Sequence, residues 1–296
     1  MGKSNMILVT LILILLIFWC LNISISVLNV AVENFMFKNK AQDVLDKHIT
    51  QITPEGYTFM IWILIFGWLL GGYIFLIICM LKSNKDGSGK VLYSPEVFTS
   101  AVAGILILNC ALHVSWLFIW DNDYLTVASA TLFCIMGTNW VALGLFSANL
   151  YENTQALQKS SLTVLNCYRI LLQNSLGLYT AWTTIAALLN LSVALVYADV
   201  ADATASLISL GILSGLLVVW IPLDFFILDK YTRYMITPLF TVIWALSCIF
   251  IRLEKLENYE DNTPKHFTIG FLGMIVTLGV ARIFLTVFRA IKSPLK

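Results

Sequence analysis

Long apolar stretches separated by short polar segments occupy most of this chain. Each stretch continues for roughly 20 residues or more, the length that a helix needs to cross the hydrocarbon core of a bilayer. The stretches do not alternate at a period of two, so the strands of a membrane barrel are not indicated. The pattern predicts eight transmembrane helices, at about 6–30, 57–81, 97–119, 124–148, 170–197, 204–228, 231–251 and 267–288. The predicted fold class is an all-α, polytopic (multi-pass) membrane protein.

The composition supports this prediction. Hydrophobic residues make up 59% of the chain and charged residues 12%, whereas a soluble domain has about 45–50% and about 25%. This balance leaves too little polar surface for a cytosolic enzyme, and it excludes a nucleic-acid binder and a disordered chain. The net charge of +1 implies no general attraction to polyanions. The lipid bilayer is therefore the first predicted partner.

The distribution of Lys and Arg predicts the orientation. An even number of helices places both termini on one side of the membrane. The connections and ends predicted on that side carry most of the basic residues: Lys3, Lys82, Lys85, Lys90, Lys159, Arg169, Lys230, Arg233, Arg289, Lys292 and Lys296. The opposite side carries Lys38, Lys40, Lys47, Arg252, Lys255 and Lys265. The positive-inside rule then predicts that both termini are cytoplasmic.

Three predicted helices carry stripes of aromatic and hydrogen-bonding residues at helical spacing. They are Phe59, Trp62, Phe66 and Tyr73 on the second, Asn109, His113, Trp116 and Trp120 on the third, and Trp182, Ala186 and Asn190 on the fifth. Polar groups within a bilayer usually face the bundle interior. If the three stripes converge, they form an aromatic-walled cavity with a few polar anchors, which is typical of a small-molecule site. The alternative is that the aromatic residues pack the core and the polar residues join helices.

The same three helices contain motifs of a known family. The fifth reads Y-x-x-W-x-x-x-A-x-x-L-N over 179–190, the second begins TPEGYTFMIW at 53–62, and the third contains NCALHVSW at 109–116. These motifs resemble, in order, those of the translocator protein family, the TspO/MBR group or tryptophan-rich sensory proteins. The resemblance covers about residues 1–200. It defines a TspO/MBR-like five-helix core at 1–200, followed by a C-terminal extension of three helices at 201–296.

The resemblance implies a site and a ligand class. Family members bind porphyrins, sterols and synthetic benzodiazepine-site drugs in a hydrophobic cavity, and they are often homodimers. Carried over by position, the ligand-binding residues are Thr58, Phe59, Trp62, His113, Trp116, Tyr124, Trp182, Ala186, Leu189 and Asn190. His113 stands where the family usually has Asn, and Pro54 replaces a Pro-rich turn. The three extra helices either cover the family's dimer face or supply another site.

The leading functional hypothesis is a membrane-embedded binding protein or sensor for a tetrapyrrole- or sterol-like molecule, held between the second, third and fifth helices. The alternative is a secondary transporter that uses Asp224 and Arg282, which lie at similar depth in the sixth and eighth predicted helices. We expect these two residues to pair, because an unpaired charge inside a bilayer is costly. No inverted repeat is evident to favour the transporter.

The sequence does not favour an enzyme. It contains no H-E-x-x-H motif, no nucleophile elbow and no cluster of metal ligands within the spans. Neither a catalytic site, a metal site nor a cofactor is therefore predicted.

Overall fold

The computed structural model describes residues 3–31, 36–84, 87, 89–255 and 261–292. Within these residues, eight helices are long and apolar enough to cross a membrane. We number them α1 (Lys3–Ala31), α2 (Gly56–Leu81), α3 (Ser100–Asp121), α4 (Leu125–Glu152), α5 (Leu162–Tyr197), α6 (Asp202–Ile227), α7 (Thr237–Lys255) and α8 (Thr263–Lys292). The predicted all-α multi-pass architecture is confirmed, with all eight helices at the expected places.

Two boundaries differ from the sequence prediction. The helix α7 begins at Thr237 rather than near residue 231, because Asp229–Thr232 forms a separate short helix and the chain turns before α7 starts. The helix α5 begins at Leu162 rather than near 170. Two further short helices, Ala41–Lys47 and Thr154–Ser160, lie outside the spans on opposite sides of the bundle. Lys85 and Lys296, which were used in the orientation argument, lie outside the described residues.

Several of the long helices are not regular throughout. A 3₁₀ turn at Gly56–Met60 opens α2 before the regular helix starts at Ile61. The helix α5 contains a π-helical segment at Tyr168–Asn174, and α6 ends in another at Leu223–Ile227, directly after Pro222. Such π segments turn the side chains that follow them to a new direction and are frequent near functional sites.

The helix α5 lies at the centre of the bundle. In its most apolar stretch 72% of the residues are buried, against 17% in α8. It packs against α2, α4, α6 and α7, while α1 packs on α2 and α3, and α8 packs on α6 and α7. One hydrophobic core contains side chains from all eight helices, for example Leu8, Ile65, Leu106, Phe146, Trp182, Leu217, Leu246 and Ile275. The three C-terminal helices thus share a core with the first five.

Candidate functional site

The aromatic stripes of α2, α3 and α5 meet around Trp62. Its ring centroid lies 4.8 Å from His113 on α3 and 6.3 Å from Trp182 on α5. Trp182 in turn contacts Phe59 edge to face at 5.9 Å. We call the aromatic cluster the set of rings that touch one another here: Trp19, Phe59, Trp62, Phe66, Tyr73, His113, Trp116, Trp120, Tyr179 and Trp182.

The helix α1 contributes to this cluster, which the sequence did not indicate. Trp19 lies between the rings of Phe66, Tyr73 and Tyr179, with centroids 5.6–5.9 Å apart. Its indole N–H donates to the Phe66 carbonyl oxygen at 3.1 Å. Trp19 was missed because it lies in a uniformly apolar helix, where no stripe distinguishes one face from another.

Polar side chains of the stripes form hydrogen bonds between helices. His113 Nδ1 and Asn22 Oδ1 on α1 share a hydrogen bond of 2.8 Å. The indole N–H of Trp116 donates to Asn190 Oδ1 on α5 at 3.3 Å. The Tyr179 hydroxyl donates to Asn109 Oδ1 at 2.7 Å. These bonds hold α1, α3 and α5 in register, because a polar group in a bilayer is costly unless it is paired.

Other polar atoms of the aromatic cluster have no such partner. Five buried side-chain atoms at or beside the cluster have no hydrogen-bond partner among the described residues: Asn22 Nδ2, Thr58 Oγ1, Tyr73 Oη, His113 Nε2 and Trp182 Nε1. Buried polar groups are nearly always hydrogen-bonded, and each unpaired one costs about 1–3 kcal/mol. The cluster therefore combines a wall of rings with unused hydrogen-bonding capacity.

The predicted binding residues differ in their burial. Thr58, His113, Trp182 and Asn190 are buried, and Phe59, Trp62, Trp116, Ala186 and Leu189 are half-buried. Ala186 packs in a small apolar cluster with Trp116, and Leu189 packs on the main core. Tyr124 is 64% exposed, directly before α4, and its ring touches no ring of the aromatic cluster in the described structure.

Asp224 and Arg282 lie together in the interior. Arg282 Nε is 3.0 Å from Asp224 Oδ2, and Arg282 Nη2 donates to Asp224 Oδ1 at 3.1 Å. The two residues are 3% and 1% exposed. Arg282 also donates from Nη1 to Asp229 Oδ1 at 3.1 Å and from Nη2 to Thr232 Oγ1 at 3.3 Å.

Asp229 extends this pair into a larger ion network. Its Oδ2 accepts from Arg233 Nη2 at 2.6 Å, and its Oδ1 lies 2.8 Å from Arg289 Nη1. Burial acts to raise the pKa of the Asp229 carboxyl, but hydrogen bonds from Arg233, Arg289 and Arg282 outweigh it and lower that pKa below its ordinary value. We call Asp224, Asp229, Arg233, Arg282 and Arg289 the ion network. The i, i+4 spacing of Asp229 and Arg233 is a sequence signal that could have indicated the wider set.

A cavity of about 530 Å³ lies apart from both groups, between α4, α5, α6 and α7. Its lining includes Trp140, Thr184, Leu216, Trp220, Pro238 and Val242. The rings of Trp140 and Trp220 meet edge to face at 4.9 Å. None of the predicted binding residues lines it. The prediction used stripes of aromatic and hydrogen-bonding residues, whereas the lining of this cavity is almost entirely aliphatic apart from Trp140, Thr184 and Trp220.

The comparisons with known proteins concern the whole bundle. The family model described as "TSPO-like protein" matches residues 8–284. No curated protein and no solved structure matches the chain. The match begins within α1 and ends within α8, so it continues beyond the motifs at 1–200 and through the three C-terminal helices. This integral membrane protein belongs to the TSPO-like protein family.

Proposed function

We propose that the protein binds a hydrophobic small molecule of the tetrapyrrole or sterol class at the aromatic cluster of α1, α2, α3 and α5. The observation that supports this most is the set of buried polar atoms without partners that lie among the rings. A core that served packing alone would gain nothing from a buried indole N–H or imidazole nitrogen left unpaired.

The rings supply affinity and the unpaired atoms supply orientation. Burial of apolar ligand surface contributes about 25 cal/mol per Å², and a flat ring system also stacks on Trp faces. Trp182 Nε1 is a donor that suits a carboxylate or hydroxyl oxygen. His113 Nδ1 is bonded to the amide oxygen of Asn22, so Nε2 is the ring nitrogen open to a ligand hydroxyl or pyrrole N–H.

The half-buried Trp62 governs access in this proposal. Its ring lies over His113 at 4.8 Å and stacks on Phe66 at 5.3 Å. We expect a ligand that reaches His113 Nε2 to displace this ring and so to change the Trp62 rotamer. A change in the surroundings of the Trp62 ring would make ligand occupancy visible as a change in tryptophan emission.

Binding of protoporphyrin and of a fluorescent sterol to protein in nanodiscs tests the proposal. Trp182→Phe keeps an aromatic ring and removes the donor, and Trp68→Phe, which makes the same change in ring size, is its control. Trp68 is on α2 outside the cluster, and its N–H already donates to the Ile170 carbonyl oxygen at 2.9 Å. We expect Trp182→Phe to weaken binding about 3–10-fold, as loss of one hydrogen bond does, with no change for Trp68→Phe. Equal affinities in the two variants, read from ligand anisotropy, would contradict the proposal.

The second candidate function is secondary transport through Asp224 and Arg282. The observation that favours it is the location of this pair, 3% and 1% exposed inside the bundle. Intramembrane ionisable residues frequently belong to ion or substrate pathways. Substrate-dependent flux into proteoliposomes that Asp224→Asn abolishes would support transport, and equal flux with and without the protein would exclude it.

A further inference from the structure

The cavity between α4, α5, α6 and α7 is chemically different from the aromatic cluster. Thr184 carries the one hydroxyl among its lining residues. That hydroxyl donates to the Thr180 carbonyl oxygen at 2.8 Å and accepts from Trp140 Nε1 at 3.1 Å. The cavity thus offers a ligand almost pure hydrocarbon surface. Its volume of about 530 Å³ lies within the ~300–1,000 Å³ that small-molecule sites occupy.

The cavity opens sideways, towards the acyl chains of the bilayer. Leu216 and Val219 line it and are 45% and 62% exposed. Gly215, directly before Leu216 in the sequence, also lines it, and a Cβ added there would meet no atom within 4 Å. Both exposed residues lie within the α6 span. A ligand can therefore enter from the lipid phase without crossing water.

One end of the cavity is lined by residues near the connection between α6 and α7, and this connection contains a lysine. Leu223, in the π segment that ends α6, and Pro238, in the first turn of α7, both line the cavity. Within this connection, the Lys230 ammonium lies 4.8 Å from the Tyr231 ring centroid and 5.3 Å from that of Tyr151, at the end of α4. Lys230 thus spans the gap between α4 and α6 where these helices reach the membrane surface.

Lys230 is available to an anion. It is exposed, and no carboxylate of the described residues lies within ion-pair distance of it. Eleven positions of α4 separate Tyr151 from Trp140, which is about 16 Å at ~1.5 Å per residue. A molecule with an anionic group at Lys230 and a hydrocarbon chain in the cavity would therefore extend along α4 towards the bilayer centre.

We propose that this groove holds one acyl chain of an anionic glycerophospholipid, with the lipid phosphate on Lys230. An acyl chain needs no hydrogen-bond partner in the cavity, whereas the hydroxyl of a sterol would find Thr184 already paired. Basic residues between helices at a membrane surface are known to recognise lipid headgroups. The site is independent of the aromatic cluster, since none of its lining residues belongs to that cluster.

Lipid retention by the purified protein tests this assignment. The protein is released from nanodiscs that contain equal amounts of phosphatidylglycerol and phosphatidylcholine, and bound lipid is counted by native mass spectrometry. Lys230→Gln removes the charge, and Lys292→Gln is its control, because Lys292 also lies over an aromatic ring, Phe288, at 5.0 Å. Gly215→Leu fills the groove. Gly270→Leu is its control, because a Cβ at Gly270 also meets no atom within 4 Å.

We expect the wild type to retain phosphatidylglycerol in preference to phosphatidylcholine. Lys230→Gln should reduce that preference about 5-fold, the factor for ~1 kcal/mol per surface lysine, and Gly215→Leu should abolish retention of both lipids. The control variants should behave as wild type, and equal melting temperatures show that each variant folds. The proposal is overturned if either variant matches its control. It is also overturned if added cholesterol displaces the phospholipid from the wild type and if Gly215→Leu prevents cholesterol from binding.

Discussion

Arg282 is the centre of the ion network. It contacts both Asp224 and Asp229 and is 1% exposed. A buried ion pair gains little over an apolar pair of the same shape, but loss of one partner leaves an uncompensated charge and costs about 3–5 kcal/mol. Replacement of a single member of the network should therefore cost more stability than joint replacement of two partners.

Arg282→Met should destabilise the protein by about 3–5 kcal/mol, because two buried carboxylates lose their shared partner. Addition of Asp224→Asn to Arg282→Met should recover part of the loss, since the most buried of these charges is then gone. Unfolding followed by intrinsic fluorescence in nanodiscs measures both effects. Arg252→Met is the control, because within the described part of the chain Arg252 makes one hydrogen bond, to the Pro54 carbonyl oxygen. Similar losses for Arg252→Met and Arg282→Met would contradict the role of the network.

Asp229 makes this network sensitive to acid. Its carboxyl faces Arg233, Arg282 and Arg289, and their hydrogen bonds lower its pKa in the folded protein. A lowered folded pKa contributes stability that is present above the unfolded value of about 3.9 and is lost as the pH falls through the folded value. The melting temperature of the wild type should therefore exceed that of Asp229→Asn at pH 7, and the difference should shrink below about pH 4. A difference that is constant from pH 7 to pH 3 would contradict the assignment.

The helix α5 contains a feature that the sequence pattern does not predict. Its length and apolar character predict a span, but they do not reveal the π segment at Tyr168–Asn174. This segment depends on partners elsewhere in the chain. The Asn174 side chain donates to the Tyr234 carbonyl oxygen at 2.8 Å and accepts from the Ile236 amide at 3.1 Å. Such contacts between residues about 60 positions apart exist only after α6 and α7 have packed.

The π segment also brings α5 unusually close to α2. A Cβ at Gly72 would lie 2.7 Å from both the Leu171 carbonyl oxygen and Leu172 Cδ2, whereas a Cβ at Gly71 meets no atom within 4 Å. Gly72→Ala should therefore destabilise the protein by about 1–3 kcal/mol, as overpacking does. Gly71→Ala should be neutral or stabilising by up to about 1 kcal/mol, because Ala favours the helix. Thermal unfolding of the two variants measures this difference in stability. Equal effects would mean that α5 does not approach α2 closely at Gly72.

The candidate sites differ in how far the sequence foretold them. Spacing alone aligned the stripes of α2 and α3, because helical periodicity places such residues on one face. Helical spacing did not indicate the contact between Trp140 and Trp220. Their ring centroids lie 4.9 Å apart, although the two residues come from α4 and α6 and belong to no stripe. The lack of a hydrogen-bond partner for a buried atom, as at His113 Nε2, likewise depends on the packed bundle and cannot be recognised in the sequence of one helix.

The eight long helices in the described part of the chain determine which connections lie on the same side of the membrane. Each crossing reverses direction, so the connection that contains Thr154–Ser160 and the connection between α6 and α7 lie on the side of the N-terminus. The short helix Ala41–Lys47 lies on the other side. The ion network and Lys230 thus share one membrane surface with the excess of basic residues, and the positive-inside rule predicts that this surface is cytoplasmic.

Two matched positions test this orientation. Gln155 and Gln42 are exposed on the short helices Thr154–Ser160 and Ala41–Lys47. In right-side-out vesicles, an impermeant maleimide should label Gln42→Cys directly and Gln155→Cys only after permeabilisation, with the wild type as the background for the native cysteines. The reverse pattern would place both termini outside the cytoplasm. The distribution of Lys and Arg would then not predict the orientation of this protein. Equal labelling of both positions before permeabilisation would contradict the three crossings between them, α2 to α4, because these two short helices would then lie on one side.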